Sequence, residues 1–472
     1  MDPIIVNGLC VTRGNQRILQ DISLNVKEGS FTVLSGPSGC GKSTVLKALQ
    51  GILQKEDDVI VEGEILIGGK IVQSSAEEVL ALSGFLMQNA DAQIVNQTAE
   101  DELVFNLENH GADRQAMKAA VEKYSKIFNI DPYATVSKLS GGQKQRLLIA
   151  SCLCTGHDIL LLDEPLANLD KESVEQLLAI LKYCCLNGTT ILCVEHRLEA
   201  VSKIADTLFW MEDGVLSKYC GMDEISAFAA EKAKVFDNAL IWNSDIGKSV
   251  LYVSGLNARR GKHVVLPDFD IELCSNSTTL LLGRNGCGKT TLMRVLCGLS
   301  SYREFNCRSF IYNSKDYSSL QNYRKARKRM GLVFQNPCHQ LFMRTVREEL
   351  LVRNPDKNIV IKIIEMFGIG KLCDRHPYSL SQGEKRLVSV AATAAAMPKL
   401  ILMDEPTIGQ DYQNLYRMAQ TLHHLQEEYQ TAFLISTHDQ LAVNAFGGCI
   451  IELDRQQPAV AVKSSEEIKI LS

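Results

Sequence analysis

Two lysines, each set in a run of glycines, are the first residues whose type and spacing point to chemistry. They are Lys42 in GPSGCGKST and Lys289 in GRNGCGKTT. The pattern GxxxxGK[ST] lets the backbone turn so that successive N–H groups face one anion, an approach that a Cβ would obstruct. Lysine adds a mobile positive charge for the β and γ phosphates of a nucleotide, and the next hydroxyl offers a ligand to magnesium. The predicted cradles are Gly36, Pro37, Ser38, Gly39, Cys40, Gly41, Lys42, Ser43 and Thr44, and Gly283, Arg284, Asn285, Gly286, Cys287, Gly288, Lys289, Thr290 and Thr291. A helix starting beside each lysine would turn its positive dipole end toward the same phosphates.

Apolar runs ending in two adjacent acids also occur twice, as Asp163-Glu164 in ILLLDEP and Asp404-Glu405 in LILMDEP. At the carboxyl edge of an open α/β sheet, one acid can orient magnesium while the next takes a proton from an attacking water. Asp163 and Asp404 therefore join Ser43 and Thr290 as candidate metal ligands, and Glu164 and Glu405 are candidate general bases. His196 and His438 each follow a further apolar run at that same end, where a contact to the terminal phosphate or the water is expected. Gln88 and Gln335, in FLMQNADAQ and VFQNPCHQ, offer neutral oxygens that could reach the metal.

Holding these groups together requires two copies of one framework, because the features recur in the same order. Lys42 to Lys289 and Gln88 to Gln335 share an offset of 247 residues, whereas LSGGQKQR at Leu139 and LSQGEKRL at Leu380 are offset by 241. The difference lies in the segment between glutamine and serine-glycine motif. Phe31 to Ser35, Ile159 to Leu162, Thr190 to Val194, and their counterparts Thr278 to Leu282, Leu400 to Met403 and Ala432 to Ile435, are short continuous apolar runs. They predict strands buried on both faces, in mostly parallel sheets flanked by helices. At 472 residues two domains are expected, 1–235 and 250–472, joined by a short linker at 236–249.

Composition narrows the setting. A net charge of −5 offers no broad basic surface for nucleic acid or anionic lipid. No apolar stretch reaches the roughly 18 to 20 residues of a membrane-spanning helix, and MDPIIVNGLC lacks a signal-peptide pattern, so a soluble, intracellular protein is expected. Fifteen cysteines without a CxxC frame read as free, mostly buried thiols.

The order of glycine loop, glutamine, LSGGQ, DE-terminated strand and histidine resembles the ATP-binding-cassette (ABC) ATPases, over nearly the whole chain twice. LSGGQKQR matches that family's signature almost letter for letter, and LSQGEKRL departs from it at Gln382 and Glu384. The resemblance implies an α/β fold of two P-loop NTPase domains. Each would have a mostly parallel sheet with flanking helices, an antiparallel β subdomain and a helical signature subdomain. It implies ATP and Mg2+ as ligands, with Gln88 and Gln335 among the metal contacts. It also implies that each signature closes on the ATP held by the other domain. One site would join Lys42, Gln88, Asp163, Glu164 and His196 to Ser381, Gln382, Gly383 and Glu384. The other would join Lys289, Gln335, Asp404, Glu405 and His438 to Ser140, Gly141, Gly142 and Gln143. Both halves sit in one chain, so this ATP sandwich can form intramolecularly. The family's adenine-stacking aromatic is not evident; Arg13 and Arg260 stand near its place, either stacking through their guanidinium planes or solvated.

Within the family, the segments after Gln88 and Gln335 and the VEHRLE at Val194 resemble energy-coupling factor importers and their cobalt and nickel relatives. That implies a transmembrane coupling or permease subunit and a small substrate-binding membrane protein as partners. It places the chain peripherally on the cytoplasmic side of the cell membrane, importing a vitamin or metal ion, with no nucleic acid partner. Asp91 and the segments after Gln88 and Gln335 would receive the coupling helices, and in the second half Cys338-His339 replace the acids usual there. The alternatives are a soluble twin-cassette ATPase acting on ribosomes or nucleic acid, and a fused sugar-importer ATPase.

Overall fold

Five-residue runs without a polar face have to be covered on both sides, and they form the centre of each sheet. The computed structural model describes residues 2–453 and 463–464, except 57, 75, 168, 213–214, 235–245, 261–262, 302–303, 320–321, 324 and 326–328. The chain divides into two compact units, Met1–Lys232 and Ala233–Ser472. Most of the expected linker lies outside the described residues.

In the first unit the strand order is Val215–Cys220, Thr207–Glu212, Phe31–Ser35, Thr190–Val194, Ile159–Asp163, Ser83–Leu86. Every neighbouring pair is parallel except the first. The second unit repeats this from the other edge: Gly331–Val333, Leu400–Asp404, Ala432–Ser436, Thr278–Leu282, Cys449–Glu452, Lys463–Ser464. Again only the Cys449–Glu452 and Lys463–Ser464 pair is antiparallel. Phe31–Ser35, Ile159–Asp163 and Thr190–Val194 are buried at every position, which is why their sequences do not alternate.

A second, antiparallel sheet covers the glycine-loop helix in each unit. Its order is Gln16–Val26, Ile4–Arg13, Val59–Ile67, Lys70–Ile71 in the first, and His263–Cys274, Ser249–Arg260, Ser309–Tyr312, Lys315–Asp316 in the second. Here the inward residues Ile4, Val6, Leu9 and Val11 enter one core with Val45, Leu46 and Leu49 of helix Lys42–Leu49. Gly8 and Gly255, at φ 61 and 59, lie within the register shifts at Val6/Leu9 and Val253/Leu256 of their strands.

Helices Ala99–Asn109, Arg114–Phe128 and Gly141–Cys154 form the third part of the first unit. Val346–Arg353, Lys357–Met366 and Gln382–Ala395 occupy the matching places in the second. The first two helices have 11 and 15 residues in one unit and 8 and 10 in the other, which locates the change of offset between the halves. Among the described residues no helix is long and apolar enough to cross a membrane. All fifteen cysteines are free thiols, and burial pushes Cys184 up to about 11 and Cys152 up to about 12.

Candidate functional site

Strand Phe31–Ser35 runs straight into the first glycine loop, and the loop's shape depends on positions that reject a side chain. Gly36 has φ 153, and a Cβ there would lie 2.1 Å from the Met211 carbonyl oxygen. Gly41 caps helix Lys42–Leu49 in the left-handed region at φ 106, with Leu19 against the place of its missing Cβ. Gly283 and Gly288 repeat both features at φ 150 and 116.

Each lysine folds back over its own loop. Lys42 Nζ donates to the carbonyls of Gly36 (2.9 Å) and Pro37 (2.8 Å). Lys289 Nζ donates to Gly283 O at 2.5 Å and also stands 3.4 Å from Glu405 Oε1. Both side chains are buried, so each ammonium group is held against the carbonyl oxygens of its own loop.

The expected metal ligands converge. Ser43 Oγ lies 3.3 Å from Asp163 Oδ1, and Thr290 Oγ1 lies 2.9 Å from Asp404 Oδ2. Gln88 Nε2 donates to Glu164 Oε2 at 2.8 Å, so its amide is engaged with the candidate base. Gln335 takes the matching place two residues after strand Gly331–Val333. His196 Nε2 is 3.4 Å from Glu164 Oε1, and His438 Nδ1 is 3.0 Å from Glu405 Oε2.

Glu164 and Glu405 have φ 49 and 48, a conformation unfavourable for a side chain of this size. Their N–H groups are tied to the neighbouring strand, at Val194 O (2.9 Å) and Ser436 O (3.1 Å), which holds the turn in place. Backbone strain of this kind costs about 1–3 kcal/mol and concentrates at functional positions.

Electrostatics separates the two acids of each pair. Burial, and then the charge of Glu164, pushes Asp163 up to about 6; Asp404 is raised as well, chiefly by burial. Burial also opposes ionisation of Glu164, but His196, Gln88 and Lys42 outweigh it and hold the carboxyl below its ordinary value. His438 and Lys289 do the same for Glu405 against its burial. Each site thus has one acid that keeps its charge and one that gains most from a nearby cation. Glycine cradles that exclude Cβ atoms, a hydroxyl beside a carboxylate and a sequestered lysine fit a magnesium nucleotide.

The signature residues form a helix start. Ser140 caps Gly141–Cys154 and exchanges hydrogen bonds with Gln143; Ser381 caps Gln382–Ala395 and does the same with Glu384. Glu384 therefore preserves the cap while adding a negative charge, with Arg375 Nη1 3.8 Å away. At Gly141 no atom beyond its chain neighbours and its own helix backbone lies within 4 Å of an added Cβ, consistent with Gln382 standing in the matching place.

Several supporting residues escaped the motif reading. Gln93 spans its own loop, accepting from Met87 N (2.9 Å) and donating to Phe85 O (2.6 Å). Gln340 accepts from Phe334 N and donates to Thr393 Oγ1 at 2.6 Å. Buried Glu102 accepts from the N–H groups of Val95 (3.1 Å) and Asn96 (2.8 Å), and Glu349 from those of Phe342 and Met343. A shared offset of 247 was the available signal for both pairs. Buried Arg386 donates to Phe334 O at 2.9 Å, and desolvation pulls it down to about 10. Glu195 and Arg197 flank His196.

Asp91 pairs with Lys144 at 2.6 Å on the signature helix, while Cys338 in its place meets the Tyr378 hydroxyl through its carbonyl. Arg13 pairs with Glu56 and, at 3.8 Å, with Asp58. Arg260 is exposed at the end of its strand.

The ABC transporter family model matches residues 19–167 and again 266–408. YkoD of Bacillus subtilis (strain 168), named as an HMP/thiamine import ATP-binding protein, is 31% identical, covering 92% of this chain and 86% of its own. A Treponema denticola protein named as an ABC transporter ATP-binding protein is 30% identical, covering 89% and 88%. Among solved structures, a ribosome-bound archaeal Pelota and ABCE1 model aligns with a TM-score of 0.66 at 21% identity, over 97% of this chain and 79% of that one. This last likeness is one of fold.

Proposed function

The chain belongs to the ABC transporter family as a fused pair of ATP-binding cassettes, and from that premise we propose that it energises a membrane importer for a micronutrient. Two ATP sites would do so, each completed by the other cassette's signature. One observation carries the membrane partner. Val95 and Phe342, at matched positions after the two glutamines, are 67% and 69% exposed, each on a loop pinned by a buried glutamate. Large apolar groups held out rigidly at equivalent places suit an apolar partner surface. The relation to a protein named for HMP/thiamine import supports a small organic cargo.

In this reading the loop N–H groups and Lys42 or Lys289 bind the β and γ phosphates. Ser43 with Asp163, and Thr290 with Asp404, would hold Mg2+, which when bound neutralises phosphate charge. Glu164 or Glu405 accepts a proton from the attacking water. His196 or His438, against that glutamate, fixes its direction. Gln88, whose amide N–H is now given to Glu164, would be among the residues that could hold the metal, and any change of partner there would act at the start of the segment carrying Val95. Both cassettes belong to one chain, which gives the sandwich a high effective concentration.

The test is affinity purification of the chain from detergent-solubilised membranes, with and without Val95→Asp and Phe342→Asp. A hydrophobic membrane protein that co-purifies with the unmodified chain and is lost with the pair supports import. Recovery with ribosomes or nucleic acid instead would overturn it.

A further inference from the structure

We infer that Glu195 and Arg197 are positioning residues, which latch the His196 segment to the loop leading away from Glu164 in the first cassette and have no equivalent pair in the second. The inference rests on the proposed roles of Glu164 and His196.

The Glu195 carboxylate is 3% exposed and accepts three backbone N–H groups. One oxygen takes Leu166 N at 3.2 Å; the other takes His196 N at 2.8 Å and Arg197 N at 3.1 Å. Arg197 Nη1 reaches the same loop, donating to Leu166 O (3.2 Å) and Leu169 O (3.1 Å). Leu166 lies two residues beyond Glu164, and Leu169 directly precedes Asp170, the cap of helix Lys171–Leu186. The residues on either side of His196 thus grip the loop near its start and at its end. Gln145, from the signature helix, adds a bond to Ala167 O at 3.3 Å.

In the second cassette the matching residues are Thr437, Asp439 and Thr407. The hydroxyls of Thr407 and Thr437 stand 3.4 Å apart, and Asp439 turns to its own helix, capping Gln440–Phe446 through Leu441 N. Thr437 Oγ1 also accepts Asp439 N at 3.1 Å, so the local bond is kept, while across to the loop a carboxylate-guanidinium grip is replaced by a hydroxyl contact. The matching signature-helix residue, Arg386, reaches the Phe334 carbonyl beside Gln335 instead.

Because Glu195 is joined to His196 by a peptide bond and to Leu166 by a hydrogen bond, the latch sets both sides of the Glu164–His196 pair. None of these side-chain hydrogen bonds goes to a glycine-loop residue. Loosening it should slow chemistry in the first cassette and spare ATP binding.

The experiment uses the full chain carrying Glu405→Gln, so that turnover reports the site containing Glu164. Glu195→Gln puts an NH2 where an oxygen accepted an N–H, so Leu166 or the His196–Arg197 pair faces a donor. The expected result is a kcat lowered about 10-fold with KM for ATP within about twofold, the pattern of misplaced reacting groups. Arg197→Met should lower kcat by about 3- to 10-fold in the same way. Glu195→Thr combined with Leu166→Thr, which copies the second cassette, should recover at least threefold over Glu195→Thr alone. Unchanged kcat in Glu195→Gln and Arg197→Met overturns the latch. So does a parallel loss of ATP binding and kcat without recovery by the threonine pair. If the Glu405→Gln chain binds ATP but does not turn over, the reading of Glu164 as a working base fails and the latch with it; turnover that ignores Glu195→Gln removes the latch alone.

Discussion

The two cassettes share a strand order, a pair of glycine cradles and a strained glutamate, yet they secure these parts by different means. Both lysines rest on carbonyls of their own loops, but in the first cassette Gln88 and His196 contact Glu164, and the post-strand loop is held from the histidine segment. In the second, Lys289 and His438 contact Glu405, and a buried arginine holds the chain before Gln335. Groups that touch the nucleotide in the proposed mechanism are duplicated, as are the supports Gln93/Gln340 and Glu102/Glu349, while Glu195, Arg197 and Arg386 behind them have no like counterpart. Chemistry fixes the former tightly, because phosphate, metal and water each demand a particular atom in a particular place. Several packings can hold such an atom, so the supporting shell is free to diverge.

The strongest way to break that comparison is to remove both bases. Glu164→Gln with Glu405→Gln should leave ATP binding intact and lower steady-state hydrolysis by about 10²- to 10⁴-fold. Near-normal phosphate release from the double variant would take both residues out of the base role. The single variants sharpen the point: equal residual rates would mean that the different supports are kinetically equivalent. Unequal rates would assign a fast and a slow site.

Next in size is the equivalence of the cradles. Gly36→Ala would place a Cβ against the Met211 carbonyl, and Gly283→Ala one 2.6 Å from the Leu453 carbonyl. Neither backbone neighbour can rotate away as a side-chain tip can. Each variant should lose about 2–4 kcal/mol in chemical denaturation, together with ATP binding in its own cassette. Gly141→Ala, at an open first turn, should be neutral or stabilising by up to about 0.5 kcal/mol. A Gly36→Ala chain as stable as Gly141→Ala would show that the loop is not sterically committed.

The cradles, acids and histidines were legible in the sequence because each depends on a short local pattern, doubled at a fixed offset. The central strands were legible because full burial leaves an unbroken apolar run. What escaped was long-range. Glu195 looks like an ordinary acid beside a histidine until its contact with Leu166, 29 residues away, is seen. Arg386 reads as one more basic residue after a signature, although it is buried and grips a carbonyl 52 residues earlier. The ion pair of Asp91 with Lys144 likewise joins two motifs that sequence presents as separate. Such residues are set by tertiary neighbours, and no local spacing rule reaches them.

The smallest expected effect concerns the signature itself. Glu384 and Gln143 make the same capping box, so exchanging them keeps the hydrogen bonds and changes one charge. That charge has opposing consequences. A carboxylate at a helix N-terminus stabilises the helix, but it also weakens the positive end that would face a γ phosphate. A helix-end charge contributes about 0.3–1 kcal/mol, or about 2- to 5-fold in affinity. In a chain carrying Glu405→Gln, which reports the Lys42 site, Glu384→Gln should therefore lower the KM for ATP by about 2- to 5-fold at low salt. Gln143→Glu in a Glu164→Gln chain should raise it similarly, and both shifts should shrink as salt is added. Arg375, 3.8 Å from Glu384, already offsets part of the charge, so the first substitution should show the smaller change. If neither exchange moves KM at any salt concentration, the signature helices do not present their N-termini to the phosphate. The two cassettes would then differ only in how they hold their own catalytic groups.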